Sequence, residues 1–416
     1  MKPSEDVVLQ LREQVRRRLD LSGSVTDEAL TGMVEEAVFA WCAGRTVTSG
    51  DKLALVRRLF HAFRGLDALQ PLIDDPSVTE IMINAHDEVF IERAGRMSRY
   101  PVAFESRERL EDIIQSVVAG VNRVVNESTP IVDARLTDGS RVHVVLPPIA
   151  LKGPTMTIRK FPERPLLMQD LLRLQALSEE AAALLQTFVR ARYNLFVSGG
   201  TGSGKTTFLN ALSQYIPADE RIVTIEDSAE LQLRSIPNLV ALETRNANTE
   251  GKGEIAMRDL IRASLRMRPS RIIVGEVRGA EALDMLQAMN TGHDGSLSTG
   301  HSNGARDMMA RLETMVLSGA DLPVAVVRQQ IASAIDIVVH LARLRDRTRR
   351  VTEIAEVIGL ADGEIALNPL YRFEEEGEAD GRVIGGLRPT GQPLQAVHKL
   401  RMAGLALEGI APGGSA

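Results

Sequence analysis

The sequence contains one cysteine, few aromatic residues and no excess of positive charge. Cys42 alone cannot form an internal disulfide, and a four-cysteine zinc site is impossible. Lys and Arg number 49 against 55 Asp and Glu, which gives a formal charge of −6, and the aromatic residues are 10 Phe, 4 Tyr and 1 Trp. The chain therefore offers neither a basic coat for phosphates nor a stacking platform for bases, and nucleic acid is not an expected partner.

Long hydrophobic runs are also missing. No stretch of about 18 uncharged apolar residues occurs, and the amino-terminal residues lack an apolar core. We therefore expect a cytoplasmic protein without direct membrane insertion. Hydrophobic residues still make up 44% of the 416 positions, which is enough to bury real cores, and the length predicts two or three domains.

The spacing of apolar residues changes along the chain. It predicts a helical extension over 1–65, and short β-like runs with one amphipathic helix predict a small α/β domain over 66–150. Prolines mark a predicted linker over 151–165. Alternating strand and helix signals over 166–372 predict a mostly parallel sheet covered on both faces. An acidic run and a glycine-rich end predict a solvated, mobile tail over 373–416.

A glycine-rich segment follows the first apolar strand of the large domain and begins a helix. It reads Gly-Gly-Thr-Gly-Ser-Gly-Lys-Thr-Thr, the pattern of a phosphate-binding loop. Its glycines let backbone N–H groups turn around an anion, while Lys205 reaches the outer phosphates and Thr206 offers an oxygen to Mg²⁺. The predicted nucleotide contacts are Gly199, Gly200, Thr201, Gly202, Ser203, Gly204, Lys205, Thr206 and Thr207.

Carboxylates follow the next two strands of the predicted sheet. Glu226, Asp227 and Glu230 come after the second strand, and Glu276 follows the third. Such acids hold Mg²⁺ or orient the water that attacks a γ-phosphate, although a solvated acidic loop is the alternative. Gly275 replaces the usual strand-terminal Asp, so Glu276 carries more of the hypothesis. The predicted magnesium ligands are Thr206, Glu226, Asp227 and Glu276.

Two further groups of residues are candidates for the site. His293 and His301 flank a polar, glycine-broken segment, where they could sense the γ-phosphate or bridge to the carboxylates. Arg258, Arg262 and Arg266 recur every four residues on one helix face. A phosphate-sensing or subunit-contacting face and a solvated basic stripe explain these arginines equally well.

Residues 66–372 resemble the secretion ATPases that power type II and type IV secretion and type IV pili. The similar segments are the Walker A motif at 199–207, the aspartate box at 224–231, the atypical Walker B motif at 272–276 and the histidine box at 292–301. Four motifs in the family's order make a specific match. The helical extension and the segments 132–142 and 265–299 resemble the CpaF-type ATPases of Flp (tad) pilus assembly, although Gly300 stands where that subgroup often has a larger apolar residue.

The resemblance implies an α/β architecture in which a RecA-like P-loop NTPase domain is joined to a smaller PAS-like amino-terminal domain. It also implies ATP and Mg²⁺ as cofactors, a homohexameric ring and inner-membrane platform proteins as partners. The protein would then be cytoplasmic and peripheral at the inner face of the inner membrane.

The resemblance also implies roles for individual residues. Glu230 matches the catalytic acid of the aspartate box, Glu276 the Walker B acid and His301 the histidine-box sensor. Arginines of the smaller domain close on the γ-phosphate in this family, and the matching positions are Arg141 and Arg159. Arg135 is a weaker candidate.

The leading hypothesis is a motor that powers Flp (tad) pilus assembly or secretion through the platform. The alternatives are a type IV secretion traffic ATPase, a DNA-translocating RecA-like motor, and a scaffold that binds ATP but barely hydrolyses it. Several acids near the nucleotide argue against the scaffold. The net charge and the few aromatic residues argue against a DNA motor.

Overall fold

The computed structural model describes residues 5–19, 25–121, 123–161, 164–247 and 252–405. The chain divides into two compact units, Met1–Pro162 and Glu163–Ala416. None of the helices in the described ranges is long and apolar enough to cross a membrane.

The first unit begins with three helices, α1 (Glu5–Arg18), α2 (Asp27–Cys42) and α3 (Ser49–Arg64). Their apolar stripes meet in one small core, where Val15, Val34 and Leu59 are fully buried. Thr26 and Thr48 cap α2 and α3, because each hydroxyl accepts a backbone N–H from the first turn. The predicted helical extension is confirmed.

A six-stranded antiparallel sheet follows, in the order β3-β2-β1-β6-β5-β4. The strands are β1 (Val78–Ala85), β2 (Glu88–Arg93), β3 (Arg96–Tyr100), β4 (Ile131–Arg135), β5 (Arg141–Val145) and β6 (Thr155–Arg159), and the helices are α4 (Gln70–Asp74) and α5 (Arg107–Ala119). One face of the sheet and α5 bury a common apolar core that includes Ile81, Ile114 and Val144.

The position of β6 corrects the predicted linker over 151–165. This strand pairs with β1 on one side and β5 on the other, in the middle of the sheet. Prolines flank β6 and do not lie within it, so the strand keeps its ladder hydrogen bonds. The same prolines are the reason that the sequence predicts a linker here.

The face of this sheet opposite the core carries a row of charged residues. Arg135 pairs with Arg141, Arg141 with Arg159, and Arg159 with Glu80, on four adjacent strands. Residues paired in this way lie on the same face, so the three arginines are neighbours. Burial raises the pKa of Glu80, and Glu92 acts in the same direction against Arg159.

The second unit is built on a nine-stranded sheet in the order β15-β14-β13-β12-β7-β11-β10-β8-β9. The strands are β7 (Leu195–Gly199), β8 (Ile222–Glu226), β9 (Leu239–Glu243), β10 (Arg271–Val274), β11 (Leu297–Gly300), β12 (Ile337–Arg343), β13 (Arg349–Ala361), β14 (Glu364–Ala379) and β15 (Arg382–Pro389). The strands from β12 to β9 in that order are parallel, and the pairs that follow β12 toward β15 are antiparallel.

Helices cover both faces of the parallel part of this sheet. They are α6 (Met168–Arg173), α7 (Glu179–Arg190), α8 (Lys205–Ser213), α9 (Met257–Ser264), α10 (Glu281–Asn290), α11 (Ala305–Leu317) and α12 (Val324–Ala334). In β7, Leu195 and Val197 belong to one core and Phe196 to the other, because successive residues of a strand face opposite sides. The predicted α/β fold is confirmed.

Strands β14 and β15 lie where the sequence predicts a mobile tail from 373 onward. The acidic run belongs to β14. Its residues Glu375 and Glu378 bind Arg345, and Glu376 binds Arg388 of β15. The sequence predicts solvated carboxylates here because the arginines that pair with them lie outside the acidic run. The closing glycine-rich residues of the predicted tail lie outside the described residues.

After β15 the chain returns to the amino ends of the parallel strands and forms α13 (His398–Met402). The buried carboxylate of Glu356 accepts the backbone N–H groups of Gln395 and Ala396. Nζ of Lys399 lies 2.7 Å from Asp336, just before β12, and 2.8 Å from Asp294, just before β11. We call residues 395–399 the carboxyl-terminal anchor.

Candidate nucleotide site

The glycine-rich loop lies at the carboxyl end of β7 and leads directly into α8. Gly204 precedes the helix in the left-handed conformation, with φ at 95°. A Cβ at Gly199 would collide with the backbone carbonyl of Leu341 in β12, so only glycine fits there. The predicted order of strand, loop and helix is confirmed, and it brings a helix amino terminus to the loop as an anion site requires.

Lys205 is 8% exposed and folds back on the loop. Its Nζ donates to the carbonyl oxygens of Gly199 and Gly200, each at 3.2 Å, and contacts Nδ1 of His301 at 3.1 Å. An ammonium group only donates, so Nδ1 accepts and the proton of the neutral ring lies on Nε2. That nitrogen lies 2.7 Å from Oε1 of Glu276. Three predicted residues therefore form one continuous chain of contacts across the ends of β7, β11 and β10.

The charge state of His301 follows from its surroundings. Burial lowers the pKa of His301 below its ordinary value; Glu276 opposes this effect, and the cations of Lys205 and Arg278 reinforce it. The ring is therefore neutral near pH 7. A proton added at Nδ1 would remove the acceptor that Lys205 uses.

Arg278 belongs to this site but is not predicted from the sequence. Its Nη2 donates to Oε2 of Glu276 at 3.1 Å, and its Nη1 lies 3.4 Å from Oδ2 of Asp227. The guanidinium thus joins the acids that follow β10 and β8. The one signal in the sequence is a basic residue two positions after Glu276, the acid that follows β10.

The acids do not form a complete metal site among themselves. The described residues contain no group of three or more His, Cys, Asp and Glu that could hold a metal ion. Mg²⁺ usually keeps several water or phosphate oxygens and takes only one or two carboxylates from the protein. The hydroxyl of Thr206 and the carboxylate of Glu276 are donors of the required kind, and they therefore fit a nucleotide-bound Mg²⁺.

Glu226 is placed differently from its predicted role as a magnesium ligand. It is 4% exposed at the end of β8, and its Oε1 accepts the backbone N–H groups of Glu230 and Leu231 at 3.0 and 3.1 Å. Burial raises the pKa of Glu226 to about 7, although those two N–H groups act against it. A Cβ at Gly275 would lie 2.8 Å from Cγ of Glu226. The geometry does not support direct ligation by Glu226, and it explains why the strand-terminal Asp is replaced by glycine.

The other predicted residues fall into three places. His293 precedes β11, at the edge of the sheet opposite Lys205, and does not join the site. Arg258 and Arg262 bind Asp284 of α10 at 3.2 and 2.8 Å, which favours a structural role over phosphate sensing. Arg141 and Arg159 lie side by side in the first unit, in the charged row described above.

A cavity of about 220 Å³ adjoins the loop beside β12 and β13. Arg349 holds this side of the loop, since its Nε donates to the carbonyl of Gly202 at 2.8 Å. An apolar cleft beside a phosphate loop suits the base of a nucleotide. No sequence pattern predicted it. Its apolar lining includes Leu166, Leu171, Leu174, Ala176, Phe208 and Leu341.

Gly300, where the related subgroup often has a larger residue, is tightly packed. A Cβ there would lie 2.9 Å from Cε of Met308 and 3.0 Å from Cε1 of Phe196. These two side chains occupy the volume that a larger residue would take, so His301 follows a well-filled strand end.

A parallel sheet with the glycine-rich loop at its carboxyl edge defines a P-loop nucleoside triphosphatase of the RecA-like class. Residues 63–372 match the family described as type II/IV secretion system protein. The chain belongs to that family, and the resemblance predicted from the four motifs is confirmed.

Two curated relatives are similar along most of their length. A putative conjugal transfer protein of Mycobacterium tuberculosis is 40% identical over 323 residues, covering 75% of this chain and 90% of the relative. The type IV secretion system protein VirB11 of Brucella suis is 33% identical over 331 residues, covering 72% and 91%. The first description names conjugal transfer and the second names type IV secretion, and neither names Flp pili.

Two solved structures share the fold. The pilus retraction motor PilT with bound ADP has a TM-score of 0.51 at 20% identity, covering 73% of this chain and 81% of PilT. The Legionella pneumophila ATPase DotB has a TM-score of 0.50 at 22% identity, covering 73% and 80%.

Proposed function

We propose that this chain is an ATP-hydrolysing motor of a type II/IV secretion or pilus machine. The observation that carries the proposal is the chain of contacts from Lys205 through His301 to Glu276 at the P-loop. VirB11 is described as a type IV secretion system protein, DotB as an ATPase and PilT as a pilus retraction motor, and these descriptions support the proposal. The motor would work as a homohexameric ring at the inner face of the inner membrane, beside platform proteins.

Each residue of the site has a distinct task in this proposal. Lys205 neutralises charge on the outer phosphates, while Thr206 and Glu276 would hold Mg²⁺, with Asp227 nearby. The ion supplies further charge neutralisation on the phosphates. Glu230 orients the attacking water. A phosphate that draws Lys205 away from His301 also changes the contact of His301 with Glu276, which makes the histidine a sensor.

The smaller domain supplies the remaining charge in this proposal. Arg141 and Arg159 close on the γ-phosphate once ATP is bound. A guanidinium suits this task because it stays charged and can bind two phosphate oxygens at once. Because the two arginines are direct cross-strand neighbours, one movement of their sheet would deliver both.

The curated relatives favour a type IV secretion or conjugation machine over Flp (tad) pilus assembly. The pilus assignment still has the resemblance of the helical extension and of the segments 132–142 and 265–299. Deleting the gene in its own host separates the two. Lost conjugation or effector secretion with normal pili supports the first, and lost pili with normal transfer supports the second. Stimulation of hydrolysis by single-stranded DNA would instead support a DNA-translocating motor.

Steady-state phosphate release tests the enzymatic proposal. Lys205→Ala should fold and lose turnover, because water cannot replace the ammonium at the same position. Glu276→Gln and Glu230→Gln should keep ATP affinity and lose kcat. Lys152→Ala is the matched control, since Lys152 is exposed in the first unit and pairs only loosely with Glu88. Turnover by Lys205→Ala within about twofold of wild type would show that the site is assigned wrongly.

A further inference from the structure

The segment after β8 that carries Glu230 is held by side chains in place of a regular strand partner. Four consecutive backbone N–H groups, from Ala229 to Gln232, each donate to a side-chain oxygen. The bonds run from Ala229 to Glu243 at 3.2 Å, from Glu230 to Glu226 at 3.0 Å, from Leu231 to Glu226 at 3.1 Å and from Gln232 to Asn210 at 2.8 Å. We call this arrangement the side-chain cradle.

The acceptors of the cradle come from three elements around the nucleotide site. Glu226 ends β8, Glu243 ends β9, and Asn210 lies on α8, the helix that begins at Lys205. Glu226 is 4% and Asn210 8% exposed, so both side chains are fixed by packing. A catalytic group is best placed when buried neighbours on rigid elements hold its backbone.

Because Glu226 is buried, losing its two hydrogen bonds would cost more free energy than losing bonds at the surface. A buried carboxylate that loses its donors, or buried N–H groups that lose their acceptor, pay the full cost of desolvation. The absent side chain at Gly275 leaves the room in which the Glu226 side chain lies. Glycine at the end of β10 therefore leaves space for Glu226 of β8 to accept the backbone N–H groups of Glu230 and Leu231.

We propose that Glu226 and Asn210 are positioning residues that fix the backbone of Glu230 relative to the P-loop helix. This inference rests on the proposed function, in which Glu230 orients the attacking water. Glu226 acts through the two N–H groups that it accepts and does not bind the metal. Asn210 links the same segment to α8, so that Lys205 and Glu230 keep a fixed separation.

Kinetics of paired variants test the positioning role. Glu226→Ala should lower kcat about 10²-fold, the scale of a small displacement of a catalytic group, and leave KM for ATP within about twofold. Glu226→Gln should stay within about fivefold of wild type, because its amide oxygen can accept the same N–H groups. In a Glu230→Gln background, Glu226→Ala should cost less than a further twofold or so, since both changes remove one function.

Two kinetic results would overturn the inference. If the fold losses in kcat of Glu226→Ala and Glu230→Gln multiplied in the double variant, Glu226 would act independently of Glu230. An equal loss in Glu226→Gln and Glu226→Ala, with a raised Mg²⁺ requirement in both, would make Glu226 a metal ligand. Arg372→Ala changes an exposed side chain of β14 and serves as the control variant, which should keep the wild-type kcat.

Hydrogen–deuterium exchange gives a readout that needs no turnover. In wild type the amides of 229–232 should exchange slowly; Glu226→Ala should release Glu230 and Leu231, and Asn210→Ala only Gln232. Unchanged exchange in both variants would refute the cradle. If Glu226→Ala fails to fold, Asn210→Ala still decides the outcome. A wild-type protein that does not hydrolyse ATP would remove the proposed function, while exchange would still judge the cradle.

Discussion

Arg271 in β10 is fully buried and binds Glu220 with one edge of its guanidinium. Nε and Nη2 each donate to one oxygen of Glu220 at 2.7 Å, and Nη1 donates to the carbonyl of Val189 at 2.7 Å. Arg271→Met replaces the guanidinium with a shorter, uncharged side chain and removes every donor. Glu220 would keep Arg192, at 3.1 Å, and the carbonyl of Val189 would lose the Arg271 donor but keep the backbone N–H of Arg192, at 3.2 Å.

The expected loss of unfolding free energy is about 3–5 kcal/mol, because one partner of a buried pair is left behind. Arg271→Met with Glu220→Leu removes both charges and should recover most of that loss. Burial by itself would raise the pKa of Glu220, but Arg271 and Arg192 outweigh it and hold the pKa below 4.5. The stabilisation is thus present above pH 4.5 and is lost as pH falls through the folded-state pKa, so the gap between wild type and Arg271→Met should narrow in acid.

The assay must report on the second unit. Trp41, the single tryptophan of the chain, lies in α2, so its fluorescence follows the first unit. Native-state hydrogen exchange of the β10 amides measures the opening free energy where Arg271 lies. Arg372→Ala is again the control. A loss below about 1 kcal/mol in Arg271→Met, or no recovery in the double variant, would refute the reasoning.

Three further predictions concern the site. Arg141→Ala and Arg159→Ala should each bind ADP normally and lose about 10³-fold in hydrolysis, and partial rescue in rings mixed with Lys205→Ala subunits would place the arginine in a neighbour's site. Folding raises the pKa of Glu226 from 4.5 to about 7, so its contribution to stability is lost as pH rises between those values. Glu226→Gln should therefore gain about 3 kcal/mol on wild type between pH 4.5 and 8 in denaturant titrations, and a constant difference would contradict the shift. Gly300→Val should cost about 1–3 kcal/mol in thermal unfolding, because Met308 must move; an unchanged melting temperature would show that the strand end is loosely packed.

The parts of the site that were predicted are encoded in short stretches of sequence. The P-loop is contiguous, and the strand before it and the helix after it have their own local patterns, so the position of Lys205 at the start of α8 follows from short stretches of sequence. Glu276 follows from its position at a strand end. His301 lies far along the chain, where a second histidine and a glycine-broken segment make it a candidate, and the resemblance to the histidine box implies its role as a sensor.

The parts that were missed depend on residues distant in sequence. Arg278 connects acids on two strands, and Asn210 accepts a bond from a loop beyond β8, which no local pattern shows. Ser198 contacts Nδ1 of buried His340 at 2.8 Å across two strands, and this pairing emerges only with the sheet order. The direction of the Glu226 side chain was open in the sequence, although the glycine at 275 was a clue to it.

The carboxyl-terminal anchor has a mechanical consequence. A pulling force applied at residue 405 would otherwise peel β15 from the sheet edge one hydrogen bond at a time. The bonds of Glu356 to Gln395 and Ala396, and the ion pairs of Lys399, lie between the point of loading and that strand. Along the chain from 405, Lys399 is loaded before Ala396 and Gln395, and all three before β15, so the anchor takes the load first and passes it into the segments before β11 and β12 and into β13.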